Sequence, residues 1–505
     1  MCGIAGFFQS FAWPEQSERI IREMLAVIKH RGDEEHSYEY RLLDDGALGC
    51  NRLAIVDREH GEQPLADAQG TLFAVMNGEI YNYQELRQEL LTLGYQFRTS
   101  TDTEVLIYGY REWGQRLVEH IDGIFAFIIF DATNASFFAA RDHMGIKPLY
   151  YLNKDGACFI ASEMKALTKF GQNVNELLPA HVLTQDGTRE YFWLKQRMLE
   201  DDESTILATF KEKLFAAVRK QVQTDLPIGV LFSGGIDSTT VLHLATRYHA
   251  NVTAISVGFE KSADVDVAQR FCADRKINHH IVQLNIDDLV SDLTQTVYYT
   301  ETFEAINLID SCLLAPAFKL ARELGIKIVL CGDGSDELLA GYDFFRMHPD
   351  PHYVMEYRLG NAYRTDLLRL DRCSMRYSVE ARVPFLDKFF MNVAYNVPMS
   401  MKLRADTEKW ILREVLRDEL PDYIIQRPKV RLPDGAGLKF QLINFARQQK
   451  AEIDPEMLDR LELDHQEGAY FLAQYLKLKY PTPKKRYKRP GLDFNASDGY
   501  FDFIT

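Results

Sequence analysis

Three short stretches hold the residue types that do chemistry. The first is MCGIAGFF at 1–8, with a thiol at position 2. Once Met1 is removed, Cys2 carries a nucleophilic sulfur and an α-amine of reference pKa roughly 7.7–8.0 on one carbon, so a single residue supplies nucleophile and base. On position alone it reads rather as a small apolar residue opening a buried strand. The second is GVLFSGGIDSTTV at 229–241, an apolar run that ends in Ser233, Gly234 and Gly235. Their small side chains let successive amides curl into an anion site, and a helix expected from Ser238 onward aims its positive end there. The Gly-Lys-Ser/Thr ending of a Walker A loop is absent. Asp237 suits Mg²⁺, which takes a few carboxylate oxygens alongside phosphate oxygens. The third is CGDGSDELLAGY at 331–342, which gathers Asp333, Asp336 and Glu337 behind the apolar run IKIVL. Carboxylates at a strand's carboxyl end point to a metal or proton-transfer site rather than to solvated acidity.

The elements that must position these residues fall into two textures. Ile20, Ile21, Met24, Leu25 and Ile28 follow helical spacing, while 71–76, 124–130, 136–140 and 157–162 are short apolar strands. Asp131 to Asn134 turns one strand pair, and the Asp186-Gly187 step signals a hairpin. Stacked sheets flanked by helices are expected up to the acidic stretch EDDES at 200–204, which marks the domain boundary. Beyond it, strands at 228–232, 252–259, 280–284 and 326–332 alternate with helical-length segments, the pattern of a parallel sheet with crossover helices. From about 355 to 478 the spacing is mostly helical, as at 410–420, and the Pro/Gly-punctuated tail at 481–505 is expected to be mobile. No internal repeat is apparent.

Composition bounds the function. A chain of 505 residues with 46% hydrophobic content is too long for one ordinary core. Its formal charge of -15 argues against a general nucleic-acid binder, so an anionic ligand needs a local cationic pocket. The seven cysteines, at 2, 50, 158, 272, 312, 331 and 373, form no Cys-x-x-Cys pair, which suggests a reducing compartment without disulfides or structural zinc. No basic flank opens the chain and no apolar run approaches a membrane span, so a soluble cytoplasmic protein is expected.

SGGIDS after a hydrophobic strand resembles the loop of enzymes that cleave ATP between its α and β phosphates. With RLAIVD (52–57), MNGEIYN (76–82), TDTEV (101–105), RDHMGIKPLYY (141–151), ASEMKAL (161–167), DRCSMRYSVEARVPFLD (371–387) and RPKVRLPDGAG (427–437), the chain resembles the glutamine-hydrolysing asparagine synthetase family over most of its length. The resemblance implies an α/β protein: an N-terminal-nucleophile four-layer αββα glutaminase domain (2–200), then a parallel-sheet ATP pyrophosphatase domain (205–480), then the tail. It implies Cys2 as nucleophile and Asn77 and Gly78 as oxyanion hole. Glutamine would lie against Leu53, Ala54, Ile55 and Val56, with Arg52 on its α-carboxylate and Glu79 and Asp102 on its α-ammonium. ATP would be held by Leu231, Ser233, Gly234, Gly235, Asp237, Ser238, Val257, Cys331 and Gly332. Mg²⁺ would sit on Asp237 and Asp336, Asp333 would assist the synthetase step, and Lys429 would neutralise phosphate charge.

Departures from the family pattern bear on detail. HRGDEEH at 30–36 lacks the Pro-Asp that commonly follows HRG, and Asp333 stands where the best-known branch has Glu. Ile306 and Ile309 take the places of the Thr and Arg thought to grip aspartate, leaving Arg346, Arg372, Arg376 and Asp336 to supply its charge partners. The leading expectation is ATP-dependent conversion of aspartate to asparagine through an acyl-adenylate, with glutamine as ammonia donor and AMP, pyrophosphate and glutamate as products. The alternatives are another carboxylate acceptor in a specialised pathway, and a non-catalytic glutamine sensor. Small molecules are the expected partners, with neither nucleic acid nor membrane, and a homodimer is left open.

Overall fold

The computed structural model describes residues 2–9, 14–33, 38–259, 262–428, 438–483, 485–487 and 500–502. Two antiparallel six-stranded sheets stack in the first part of the chain. One runs β10 (Asn175–Glu176), β8 (Tyr150–Lys154), β9 (Ala157–Ala161), β1 (Cys2–Gln9), β3 (Gly46–Arg52), β2 (Glu39–Leu43). The other runs β12 (Gly187–Glu190), β11 (His181–Thr184), β7 (Ser136–Arg141), β6 (Gly123–Asp131), β5 (Leu72–Ile80), β4 (Leu65–Ala66). Strand alternation decides which side chain enters which layer. Along β1, Cys2, Ile4 and Phe8 face the second sheet, where Phe8 stacks on Phe130 and Phe137 at 5.4 and 4.9 Å. Ala5 and Phe7 face the other way, onto Ile21, Met24 and Leu25 of helix α1 (Pro14–Val27). Helices α2 (Tyr83–Thr92) and α3 (Glu104–Trp113) cover the outer face of the second sheet. The four layers are thus helix, sheet, sheet, helix.

The acidic stretch at 200–204 is a helix start. Asp202 accepts from Thr205 N at 3.1 Å and caps the helix Glu203–Gln221, which leads into a five-stranded parallel sheet. Its order is β15 (Asn278–Gln283), β14 (Val252–Gly258), β13 (Ile228–Leu231), β16 (Ile328–Leu330), β17 (Glu380–Arg382). The strand β17 lies inside the stretch whose spacing predicts helix. Only three residues long, it is too short to show a period of two. The expected helix at 410–420 is confined to Trp410–Val415. Within the tail, β18 (Lys485–Tyr487) pairs with β19 (Tyr500–Asp502). No helix among the described residues is long and apolar enough to cross a membrane.

A buried ionic network joins the two halves. Arg31 donates to Glu163 at 2.7 Å, to both oxygens of Asp371 at 2.9 and 3.0 Å, and to Cys2 O at 3.1 Å. Arg372 pairs with Glu301 at 2.7 Å, and Glu301 in turn accepts from Met164 N and Lys165 N. Fully buried charges persist only when paired and hydrogen-bonded, so this network holds one docking arrangement.

Candidate active sites

The first site forms where β1 starts beside the end of β5. Cys2 pairs with Arg52 across β1 and β3, and its amide donates to Asn77 Oδ1 at 3.1 Å. Asn77 is fully buried, and its Nδ2 has no hydrogen-bond partner among the described residues. Gly78 has φ +141°, and a Cβ there would stand 2.0 Å from Ile124 O, so only glycine lets β5 run this close to β6. A pocket opens against Cys2, Arg52, Gly78, Glu79 and Asp102, with Leu53, Ile55 and Val56 as apolar wall. Gln63, which the sequence did not single out, reaches Cys2 Sγ at 3.9 Å and Thr103 Oγ1 at 3.3 Å. Ala54 faces away, its amide on Asp33 Oδ2 and its carbonyl on Lys327.

Electrostatics suit the pocket to a nucleophile and a zwitterion. Hydrogen bonding from the Cys50 thiol brings the Cys2 thiol down to about 6 against the effect of burial, helped by the Leu53 amide and the Arg52 charge. Arg52 is held at the rim by the carbonyls of Val56, Asp57 and Arg58 at 3.1, 2.6 and 3.2 Å. Burial raises Glu79 to about 8, with Glu380 and Asp102 adding repulsion and Arg382 opposing it. Asp102 rises to about 6 through burial, although Ile80 N donates to it at 3.0 Å.

The second site lies at the carboxyl ends of β13, β14 and β16. After Leu231 the chain turns through Ser233, Gly234 and Gly235 into the helix Ile236–Tyr248, which starts two residues before Ser238. Ser233 N donates to Ser238 Oγ at 3.2 Å. A Cβ on Gly332 would stand 3.1 Å from Asp237 Cβ and from Ser238 N, so the two loops meet closely. The cavity wall includes Leu231, Ser233, Gly235, Asp237, Ser238, Val257 and Gly332. Cys331 is fully buried behind that wall and gives its amide to Arg382 O at 2.9 Å.

Asp237 and Asp336 share one buried cation: Lys409 Nζ stands 2.5 Å from each, and Ser335 Oγ donates to Asp237 at 2.7 Å. Two carboxylates at a phosphate-sized cradle fit Mg²⁺, which binds through one or two carboxylates plus substrate phosphates. Lys409 then balances their charge from behind. No group of three or more His, Cys, Asp or Glu that could hold a metal occurs among the described residues. Arg413 and Arg427 also line the cavity, and Arg427 donates to Ser233 O at 3.4 Å and pairs with Asp264. Lys429 and residues 34–36 of HRGDEEH lie outside the described residues.

The residues named for the acceptor fall in different places. Ile309 is 1% exposed in a hydrophobic core, and neither it nor Ile306 reaches the wall. Their neighbour Asp310 does, because one residue turns a helix by about 100°. Arg346 bonds Ala405 O, Arg372 belongs to the buried network, and Arg376 pairs with Asp292 at 2.6 Å. None of the three lines the cavity. Beside Asp310 the lining arginine is Arg369, on the helix Asp366–Met375, 2.5 Å from Asp310, 2.9 Å from Asp366 and 3.5 Å from Asp333.

Comparison with known proteins bears on both sites. A glutamine amidotransferase domain model matches residues 1–221, and an asparagine synthase model matches 209–352 and 347–490. The chain is 34% identical over 471 residues to asparagine synthetase [glutamine-hydrolyzing] 2 of Arabidopsis thaliana, covering 86% of this chain and 79% of that one. It is 33% identical over 470 residues to an asparagine synthetase [glutamine-hydrolyzing] of Sandersonia aurantiaca, covering 86% and 87%. For the Zea mays protein of the same name the figures are 32% over 492 residues, covering 91% and 82%.

Proposed function

The chain belongs to the glutamine-hydrolysing asparagine synthetase family, and on that footing we propose that it activates a carboxylate with ATP as an acyl-adenylate and amidates it with ammonia from glutamine. The family's substrates include ATP. The observation that supports the reading best is the coexistence in one chain of the Cys2 pocket and the Ser233–Ser238 cradle. We take 2–200 as the glutaminase domain and 205–480 as the synthetase domain.

Cys2 Sγ attacks the glutamine carboxamide while its α-amine, freed by removal of Met1, carries the proton to the departing ammonia, and water then cleaves the resulting thioester to release glutamate and restore the thiol. Asn77 Nδ2 and the Gly78 amide receive the oxyanion. Arg52 binds the substrate's α-carboxylate, and Glu79 and Asp102 bind its α-ammonium. At the second site the amides of 233–235 hold phosphate oxygens, and Asp237 and Asp336 would hold Mg²⁺, which when bound offsets phosphate charge. The acceptor carboxylate attacks the α-phosphorus and pyrophosphate leaves. Ammonia then displaces AMP. Asp333, which stands 3.5 Å from Arg369, would take the proton that ammonia loses, and Lys429 would neutralise phosphate charge. The second site needs water excluded, because water would compete with ammonia for the adenylate.

Aspartate is the acceptor to which the relatives' name points. A second reading, a different carboxylate, is favoured by Asp310, which already holds the arginine an aspartate carboxylate would use. Incubation with ATP, Mg²⁺, ammonium and an acceptor panel should release AMP and pyrophosphate. Release of ADP and phosphate would refute the adenylate reading.

A further inference from the structure

We propose that Arg382 is a positioning residue of the glutamine site, reaching in from the edge strand of the parallel sheet to hold the Glu79 carboxylate where it receives the substrate's α-ammonium. The inference rests on the proposed role of Glu79. Arg382 belongs to β17, on the opposite side of the domain junction from β5, and is 1% exposed. Its guanidinium is fully engaged: Nε donates to Glu380 Oε1 at 2.5 Å, Nη1 to Gln221 O at 2.6 Å, and Nη2 to Glu79 Oε2. The Tyr81 ring lies 5.8 Å from it.

The stoichiometry of charge is what makes this arrangement a support for binding rather than a closed salt bridge. Glu380 is completely buried and neutralises Arg382, so Glu79 receives orientation from the guanidinium without being its sole counter-ion. Once ionised, the Glu79 carboxylate therefore has negative charge to offer an incoming ammonium, with Asp102 beside it in the same pocket. A planar fork with three fixed directions does this, and a lysine ammonium reproduces the charge but not the geometry. The same residue touches the second site through its main chain, since Arg382 O accepts from Cys331 N, next to Gly332 of the nucleotide cavity. The glutamine pocket is consequently finished by a residue whose backbone is set by the nucleotide-site sheet.

The test uses the full chain and the variants Arg382→Gln, Arg382→Lys, Glu79→Gln and the charge-balanced double Arg382→Gln/Glu380→Gln. Hydrolysis is compared for glutamine and for its des-amino analogue, the γ-amide that lacks the α-ammonium, and ammonium-dependent synthesis reports on the fold of the second site. Arg382→Gln should raise the glutamine KM about tenfold or more with kcat nearly unchanged, change the des-amino KM less than about twofold, and be partly rescued in Arg382→Lys. The double variant, which leaves no unpaired Glu380, should show the same split if the single one folds poorly. An equal loss for both amides, or a loss confined to kcat, would overturn the inference in favour of a merely structural role. A raised glutamine KM in Glu79→Gln without one in Arg382→Gln would overturn it while leaving the site assignment intact. No effect from Glu79→Gln would remove that assignment and the inference together.

Discussion

Arg369 and Asp310 stand 2.5 Å apart in the wall of the cavity beside Ser233–Ser238, on two different helices. Asp366 and Asp333 approach the same guanidinium at 2.9 and 3.5 Å, so its charge is already shared among three carboxylates. An acceptor with a second carboxylate must compete with them.

That competition gives a prediction for acceptor choice. With ammonium salt as nitrogen source, aspartate should be turned over with a weak KM, and Asp310→Asn should lower that KM by about three- to tenfold by releasing Arg369. Pyrophosphate release across a panel of amino-acid and apolar carboxylates measures it. No turnover of aspartate at saturating ammonium, alongside clear turnover of another acid, would move the chain to the second acceptor reading.

The two chemistries should separate genetically. Cys2→Ala removes the thiol that lines the first pocket and should cut glutamine-dependent synthesis by more than about a thousandfold, while ammonium-dependent synthesis persists. Loss of both activities in a variant with an unaltered melting profile would contradict the division of labour.

Proton linkage supplies a third prediction. Glu79 and Asp102, raised to about 8 and about 6, must ionise to bind an ammonium, and the Cys2 thiol ionises near 6. Glutaminase kcat/KM should therefore climb from about pH 5 to 8, and Glu79→Gln should truncate the upper part of the climb. Stability runs the opposite way. A carboxyl whose folded pKa is raised keeps the folded state favoured below its unfolded value, near 4, and loses that contribution as pH rises through the folded value. The unliganded protein should accordingly lose melting temperature between pH 5 and 8, by less in Glu79→Gln. A glutaminase profile flat over that range would count against the ionisation scheme.

Much of the first site was legible in the chain because its parts are local. Cys2, Asn77, Gly78 and Glu79 sit at the ends of β1 and β5, within short contiguous motifs that carry the family resemblance, and the strands expected at 71–76, 124–130, 136–140 and 157–162 and the hairpin at Asp186-Gly187 appear as β5, β6, β7, β9 and the β11–β12 pair. The Ser233–Ser238 cradle was legible for the same reason, an apolar strand running directly into a small-residue turn. Gln63 was not, since a lone glutamine in a loop carries no periodic signal.

What the sequence by itself determined, then, is the pair of local chemical units: a thiol at the head of a strand and an anion cradle between a strand and a helix, each fixed by a few contiguous residues. Only the tertiary structure decided the long-range partners. Helix phase chose Asp310 over Ile309 for the cavity, the buried network claimed Arg372, and β17, three residues in a helical region, brought Arg382 onto Glu79 from 303 positions away. The physical reason is that side-chain direction follows from local backbone geometry, whereas the partner of a buried charge follows from how whole layers dock.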